Sequence, residues 1–393
     1  FWEVPTLSFL CKVLEADTKN IYLNDPRNVA IRAINYMKQT GIADESRWGP
    51  EFEFYVFDEV AFEYGINRSG YRLESGEADW NSSEGGHGHY IPRHGGYHAI
   101  PPKDQFFNLR NRITQLLEQI GIPIKYHHHE VGGPGQMEIE TPLMNLLQAG
   151  DATLLIKYVT KMAAYNEGRT ATFMPKPLYG EAGSGMHFHQ HLFKEGRNVF
   201  YSADGYGKIS ETGMYYIGGL LKHGSALLAF TNPSTNSYRR LVPGYEAPVN
   251  AFFSLGNRSA AIRIPKYADQ PDTARIEFRP PDGTCNPYLA LAAQLMAGLD
   301  GIINKIDPRE EGYGPIDEDV FSWTEEQRKT IRPLPSSLLE AMQALEEDND
   351  FLLKGNAFDE EIIEQWIEYK LEQEYYAVRN RPHPYEMSLY FDV

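Results

Sequence analysis

Four short segments of this 393-residue chain alternate ionisable and apolar residues, a pattern that predicts strands with one charged and one apolar face. The segments are 51–58 (EFEFYVFD), 136–140 (QMEIE), 187–192 (HFHQHL) and 275–279 (RIEFR). Each strand therefore offers one face to a hydrophobic core and keeps the other face for polar chemistry. Helical signals lie between these strands, so the sequence predicts an α+β fold.

The helical signals are N-cap residues, prolines at first helical positions and terminal glycines. The clearest helix begins at Pro26, after the N-cap residue Asp25, and is expected to end at Gly41. Asp104 is expected to cap the next helix. The further predicted helices are 104–120, 145–167, 211–230, 287–304, 335–347 and 358–378.

Two segments outside these elements carry weaker patterns. Residues 5–15 alternate well enough for a single strand, and the Gly- and His-rich residues 74–101 predict a long surface loop. The chain starts without a methionine or a signal-peptide pattern, so we expect that it begins within a longer protein.

The charged strand faces carry Glu, His and Arg and no Lys. A solvated face is the ordinary alternative for any single strand, but solvated faces usually mix Ser, Thr and Lys with the acids. Two like charges about 4 Å apart repel by roughly 4 kcal/mol at an effective dielectric constant of about 20. A divalent cation removes this repulsion, and carboxylates with one or two imidazoles suit Mg²⁺ or Mn²⁺ better than Zn²⁺. In the run 127–129 (HHH), at most part of the histidines can face such a site, and a partly structural role is expected.

Arginines form the second half of the pattern. Arginine binds carboxylate or phosphate through its planar fork, although structural pairing with the surplus acids is the alternative. Metal-binding carboxylates combined with several arginines favour phosphoryl transfer. The sequence contains neither a GxxxxGK[ST] nor a GxGxxG motif, so the nucleotide site is expected to be neither a P-loop nor a Rossmann crevice. The arginines concerned are Arg239, Arg240, Arg258, Arg263, Arg275 and Arg279.

Composition excludes other function classes. With 37 Lys+Arg against 54 Asp+Glu, the net charge of −17 argues against a surface that binds nucleic acid or anionic lipid. Cys11 and Cys285 stand far apart and predict no disulfide framework, which favours a reducing, cytoplasmic compartment. No apolar stretch reaches the roughly 18 residues that a membrane span requires; the best candidate, 288–299, is interrupted by Gln294 and is expected to be a buried helix.

Six motifs follow one another between residues 49 and 302: GPEFEF, HHHEVGGPGQMEI, GSGMHFH, NSYRRLVPGYEAPV, NRSAAIRIP and RIEFRPPDGTCNPYLALAAQLMAGLDGI. Together they closely resemble class I (prokaryotic-type) glutamine synthetase, and the resemblance is collinear from about residue 5 to the C-terminus. The resemblance implies a catalytic domain over residues 24–393, with a curved, mostly antiparallel sheet and surrounding helices, after a β-grasp remnant at 1–23. It also implies a homo-oligomer, a dodecamer of two hexameric rings with sites between subunits.

The reaction implied by the resemblance is ATP-dependent ligation of ammonia to the γ-carboxylate of L-glutamate through γ-glutamyl phosphate, with two or three Mg²⁺ or Mn²⁺ ions per site. By motif, Glu53, Glu130 and Glu138 resemble ligands of the metal near glutamate and ammonium. Ligands of the metal that aligns the ATP phosphates would be Glu51, His187 and Glu277.

The remaining roles implied by the resemblance concern substrates. Those at glutamate or the ammonium site are Gly183, Arg240, Glu246 and Arg279, with Glu246 on a flap that shields the intermediate. Those that stabilise the transferring phosphoryl group are Arg258, Arg263 and Arg275. Those near ATP are His189, His191, Arg258 and Arg263.

Several positions depart from the family pattern. Most of the β-grasp domain is absent from this sequence, and with it the aspartate that deprotonates ammonium. Ala182 stands where many members have Asn, His191 replaces a common Ser, and Lys125 occupies an often acidic position. Phe321 stands where adenylylated members carry the modified Tyr, so that regulation is not expected. A γ-glutamyl-amine (polyamine) ligase and a non-catalytic structural homologue are the alternatives.

Overall fold

The computed structural model describes residues 4–81, 88–244, 247–318, 320 and 323–393. Ten of the described strands form one sheet and two form a separate hairpin. In chain order the strands are β1 (Glu45–Phe57), β2 (Glu59–Tyr64), β3 (Ser69–Glu74), β4 (Tyr126–His129), β5 (Gln136–Glu140), β6 (Met144–Asn145), β7 (Thr170–Thr172), β8 (Phe188–Lys194), β9 (Arg197–Asn198), β10 (Asn250–Ser254), β11 (Ala260–Arg263) and β12 (Ile276–Phe278).

The long strand β1 organises the sheet, whose order is β10-β11-β12-β8-β1-β5-β4. Strands β5, β6, β7 and β8 all pair with β1 in antiparallel fashion, whereas β10 and β11 form a parallel pair. Strands β2 and β3 form the separate hairpin. This mostly antiparallel sheet with its helices confirms the predicted α+β class.

Helices cover the sheet and build the second half of the chain. In chain order they are α1 (Pro26–Thr40), α2 (Phe107–Gln119), α3 (Leu146–Asn166), α4 (Glu211–Lys222), α5 (Gly224–Thr231), α6 (Ser237–Arg240), α7 (Pro287–Ile303), α8 (Glu325–Arg328), α9 (Leu338–Glu347), α10 (Asp350–Leu353), α11 (Glu360–Tyr369), α12 (Tyr376–Arg379) and α13 (Pro384–Tyr390). A π-helical turn, Lys370–Tyr375, joins α11 to α12.

The predicted apolar strand faces form the core. Phe52, Met137, Phe188 and Ile276 are all fully buried, and they belong to four different strands of the sheet. Helix α7 is buried along most of its length, as expected for residues 288–299. None of the described helices has both the length and the apolar character that crossing a membrane would require.

Most predicted helices are confirmed, although several differ in their limits. Helix α9 begins at Leu338 and not at 335, and the predicted helix 358–378 consists of α11, the π-helical turn and α12. Helix α1 begins at Pro26 and is capped at its C-terminus by Gly41, which has a φ of 70°. Asp104 does not cap α2, because its carboxylate is paired with Arg110 at 2.5 Å and the helix begins only at Phe107. The predicted helix 211–230 is two helices, α4 and α5, which meet at His223.

The prediction of a strand at 5–15 is wrong, and the prediction of a surface loop at 74–101 is only partly right. The expected strand at 5–15 is absent from the described residues 4–23, which contain only an isolated bridge between Leu14 and Ile21. An extended segment without a neighbouring strand has no partners for its backbone groups. The predicted surface loop 74–101, of which 82–87 lie outside the described residues, buries Glu77 completely.

Candidate active site

The pairing of β1 with β5 sets carboxylates against each other. Glu51 lies opposite Glu140, and Glu53 lies opposite Glu138. Directly opposed side chains on antiparallel strands lie on the same face, about 4.5–5.5 Å apart at Cβ. The predicted charged faces therefore coincide, and they place four carboxylates within one patch of the sheet.

The opposite edge of β1 continues the same face. On β8, His189 pairs with Gly49 of β1 and with Glu277 of β12. Glu277 in turn lies opposite Arg263 of β11. The strand order thus carries the charged face across β5, β1, β8, β12 and β11 without interruption.

We call Glu51, His187 and Glu277 the central cluster. Their potential ligand atoms all lie within 4.8 Å of one another. His187 Nδ1 lies 3.0 Å from Glu51 Oε2 and 3.6 Å from Glu277 Oε1. The three residues predicted to share one metal are therefore brought together.

A chain of hydrogen bonds orients Glu51 within this cluster. His187 Nδ1 and His189 Nε2 lie 3.0 and 2.9 Å from the two Glu51 carboxylate oxygens. On the far sides of the rings, Arg240 donates to His187 Nε2 at 3.3 Å and Arg275 donates to His189 Nδ1 at 3.3 Å. Although burial favours the protonated acid, the two imidazoles hold the pKa of Glu51 well below its usual range.

The lateral cluster consists of His128, Glu130 and Glu138, which could also hold a metal ion together. His128 Nδ1 lies 3.7 Å from Glu130, and its Nε2 lies 3.9 Å from Glu138. Glu53 lies beside this group: its Oε2 accepts a 2.6 Å hydrogen bond from Gly185 N, and its Oε1 is 3.8 Å from His187 Nε2.

The carboxylates near the lateral cluster carry excess negative charge. Burial, followed by the charge of Glu53, raises the pKa of Glu130 to about 7. Burial and the charges of Glu51, Glu130 and Glu53 raise the pKa of Glu138 well above its usual range. A bound cation would lower both pKa values, so this donor set fits a divalent metal ion that takes oxygen and imidazole ligands.

Two arginines hold Glu277 from the other side. Arg279 Nη1 lies 2.5 Å from Glu277 Oε1, and Arg263 Nε pairs with Glu277 Oε2. Although burial favours the protonated acid, Arg263 and Arg279 lower the pKa of Glu277 to about 2. This carboxylate is therefore fixed in both charge and direction.

Arg240 lies buried beneath the site, where its guanidinium donates hydrogen bonds to backbone carbonyl oxygens. It donates to the carbonyl oxygens of Pro280 at 2.6 Å and Arg279 at 3.2 Å. A Cβ atom at Gly183 would lie 2.6 Å from Arg240 Cγ, so this position admits only glycine without rearrangement. Gly183 and Arg240, both predicted to lie at the glutamate or ammonium site, are thus packed together.

Arg258 and His191 lie farther out. Arg258 is exposed, and its guanidinium lies 5.4 Å from the centre of the Tyr97 ring. The backbone carbonyl oxygen of Arg258 accepts a hydrogen bond from Arg279 Nε at 3.0 Å. His191 is buried, and burial lowers its pKa to about 3. Among the described residues its Nε2 has no hydrogen-bond partner.

His191 lines a cavity of about 320 Å³ two strand positions beyond His189. The other lining residues are Glu45, Arg47, Leu143, Met144, Asn145, Gln148 and Asp272.

The predicted ligand sets left out two members of this arrangement, His128 and Glu140. His128 precedes Glu130 by two residues, so alternation within the histidine run could have selected it. Glu140 joins Glu51 and His189 in a third group of possible ligands, although Lys125 Nζ also binds it at 2.6 Å. Two predicted positions, Glu246 and Phe321, lie outside the described residues.

Comparison with known proteins identifies the family to which this chain belongs. The family model "Glutamine synthetase, catalytic domain" matches residues 23–390. The chain belongs to the glutamine synthetase family. A glutamine synthetase of Frankia alni is 51% identical over 397 residues, which cover 100% of this chain and 83% of the relative. One of Nostoc sp. is 48% identical, with coverage of 100% and 83%.

A solved structure supports the same assignment. The cryoEM structure of Plasmodium falciparum glutamine synthetase matches with a TM-score of 0.84 and 29% identity, covering 96% of this chain and 81% of that chain. The resemblance to the prokaryotic-type glutamine synthetases and the fold expected from it are confirmed. The chain is an enzyme of ATP-dependent glutamine synthesis, as its full-length relatives indicate.

Proposed function

We propose that the central and lateral clusters hold two divalent cations, Mg²⁺ or Mn²⁺, and that glutamate, ATP and ammonia meet between them. The carrying observation is the register that sets Glu51 against Glu140 and Glu53 against Glu138. Like charges directly opposite each other destabilise a sheet, and here the pairs are partly or fully buried. A cation-binding role accounts for both pairs.

In this proposal one ion is held by Glu51, His187 and Glu277, and the other by Glu53, Glu130 and Glu138. His128 is added to the second set because of its distances to Glu130 and Glu138. When bound, the metal ions neutralise charge on the ATP phosphates and on the reacting carboxylate. A third ion is consistent with the group of Glu51, Glu140 and His189.

The first chemical step is attack of a γ-carboxylate oxygen of glutamate on the terminal phosphorus of ATP. A new P–O bond forms, the bond to the β-phosphate oxygen breaks, and ADP leaves. Arg258, Arg263 and Arg275 would stabilise the negative charge spread over the transferring phosphoryl group. Arg263 suits this role because Glu277 fixes its guanidinium at the edge of the central cluster.

The second step is attack of ammonia on the γ-carbonyl carbon of the acyl phosphate. A C–N bond forms, the C–O bond to phosphate breaks, and the nitrogen loses a proton. We assign glutamate binding to Gly183, Arg240 and Arg279, supported by the buried guanidinium groups beneath the site. Glu246, which lies outside the described residues, is proposed from its motif to shield the intermediate and to border the ammonium site.

We further propose that ATP extends from the central cluster past His189 toward His191. The cavity lined by His191 lies in this direction and has room for part of a nucleotide.

The homo-oligomer, a dodecamer of two rings, is likewise a proposal. It is supported by apolar side chains that the single chain leaves exposed, such as Phe62 and Tyr64 in the hairpin and Tyr390 and Phe391 at the end of α13. The cytoplasmic location and the β-grasp remnant at 1–23 remain predictions.

The decisive experiment is phosphate release from ATP with Mg²⁺ and L-glutamate, comparing ammonium with a panel of amines. Release that requires both glutamate and ammonium supports the proposal. Release with another amine alone would move the protein to the γ-glutamyl-amine ligases, and no release under any condition would favour a non-catalytic homologue.

A further inference from the structure

A buried ion pair lies directly behind the lateral cluster. Glu77, in the segment that follows β3, and His129, at the end of β4, both have fully buried side chains. Glu77 Oε2 lies 3.0 Å from His129 Nε2. The other carboxylate oxygen, Oε1, accepts a 2.5 Å hydrogen bond from Gln105 N, so the pair is anchored to the chain on its far side.

His129 transmits this anchor to Glu130. Its Nδ1 lies 2.6 Å from the Glu130 carbonyl oxygen, which can only accept a hydrogen bond. Its Nε2 faces the Glu77 carboxylate, so both ring nitrogens meet acceptors and the ring donates in two directions. The result is a continuous link from Gln105 through Glu77 and His129 to the backbone of Glu130.

A glycine contact closes over the same link. A Cβ atom at Gly96 would lie 2.6 Å from His129 Nδ1 and would also strike the Glu130 carbonyl oxygen. Backbone hydrogen bonds join Gly96 N to Val131 O at 3.1 Å and His98 N to His129 O at 3.0 Å. The loop around Gly96 thus packs on both sides of Glu130.

We propose that Glu77 and His129 are positioning residues that aim Glu130 at the metal ion of the lateral cluster, an inference that rests on the proposed metal role of Glu130. The Glu130 carboxylate needs such support because it lies among acids that repel it, and its own hydrogen bond to Val131 N is local. Fixing the Glu130 carbonyl sets the direction from which its side chain leaves the backbone. Residues that orient metal ligands in this way typically contribute about 10- to 100-fold to metal affinity or activity.

The test is a titration of the full-length protein with Mn²⁺ alone, in which the EPR signal measures the concentration of free Mn²⁺. Glu130→Gln identifies which binding step belongs to the lateral cluster. At that step, Glu77→Ala is expected to weaken Mn²⁺ binding about 10- to 100-fold. Glu77→Gln should rescue binding to within about threefold, because its amide can donate to His129 Nε2 while its oxygen still accepts from Gln105.

Asp151→Ala is the matched control. Asp151 is a half-buried carboxylate on α3 that pairs with Arg27 at 2.9 Å, and its described hydrogen bonds run to Arg27 and Tyr288 and not to the link from Gln105 to Glu130. Wild-type Mn²⁺ binding by Glu77→Ala, or an equal loss in Asp151→Ala, overturns the inference. If Glu77→Ala does not fold, Glu77→Asp replaces it, since the shorter side chain cannot span Gln105 and His129; unchanged binding overturns the inference again. If Glu130→Gln binds Mn²⁺ as the wild type does, the proposed metal role itself fails.

Discussion

Glu53 on β1 and Glu138 on β5 lie directly opposite each other in an antiparallel pair, where complementary charges would stabilise the sheet and like charges oppose it. The raised pKa of Glu138 reflects the same conflict, because burial and the charges of Glu51, Glu130 and Glu53 all disfavour its ionised form. The arrangement therefore exchanges stability of the metal-free chain for a place where a cation can bind.

Glu138→Gln should stabilise the protein in EDTA. The amide keeps the shape of the side chain and removes the charge, so at pH 7 to 8 we expect a gain of about 1 kcal/mol or more in the free energy of unfolding. Urea unfolding with EDTA and with saturating Mg²⁺ measures the effect. The gain should vanish or reverse with Mg²⁺; a variant less stable than wild type in EDTA would contradict this account.

Glu277→Gln should remove phosphoryl transfer while keeping the fold. Glu277 is the meeting point of His187, Arg263 and Arg279, and the amide provides only one acceptor oxygen for them. We expect turnover to fall by at least about 100-fold. Phosphate release gives the turnover, and circular dichroism verifies folding; turnover near that of the wild type would remove Glu277 from the metal site.

Arg279→Ala and Arg263→Ala form a matched pair, because the two arginines contact the two oxygens of the same carboxylate. Loss of a charged hydrogen bond to glutamate should raise the KM for glutamate about 10- to 100-fold in Arg279→Ala. Arg263→Ala should instead lower kcat. Steady-state kinetics with varied glutamate separates the two, and an unchanged KM in Arg279→Ala would exclude it from the substrate site.

A period of two assigns Glu51 and Glu277 to the charged faces of their strands without knowledge of the neighbouring strands, whereas their grouping with His187 into one metal set was predicted only from the family resemblance. Pairs between distant segments left no such signal. Nothing local to Glu77 indicates that it meets His129, and this contact lies in a buried part of the predicted surface loop. The sequence alone did not place His128 at the site, because the pairing of β4 with β5, which sets His128 opposite Glu138, is a property of the folded sheet.

His223 should make stability depend on pH. Its ring nitrogens lie 2.8 Å from Asp348 and 3.0 Å from Asp300, joining the α4–α5 junction to α7 and to the end of α9. Although burial opposes the charged ring, the two aspartates raise the pKa of His223 above its usual value of 6.5. A raised pKa contributes stability that is complete below about pH 6.5 and is lost as the pH rises through the folded value.

Urea unfolding at a series of pH values from about 6 to 9 tests this link. His223→Gln should flatten the decline in stability above pH 6.5, whereas His89→Gln, at an exposed position, should keep the wild-type slope. Identical slopes in the wild type and His223→Gln would show that His223 does not titrate in this pH range.

Gly185→Ala should misplace the centre of the site from within. A Cβ atom there would lie 2.7 Å from His187 Nε2 and would also strike Arg240 Nη2. Both side chains are buried and hydrogen-bonded, so neither can give way without turning away from Glu51 or from the Pro280 carbonyl. Displacements of about 1 Å in an active site can reduce rates about 100-fold, and we expect a loss of that order in kcat/KM for glutamate.

Gly70→Ala is the matched control, because a Cβ at Gly70 meets open space and its backbone is not in the left-handed region. Equal activities of the two variants would mean that His187 and Arg240 need not keep the positions seen here.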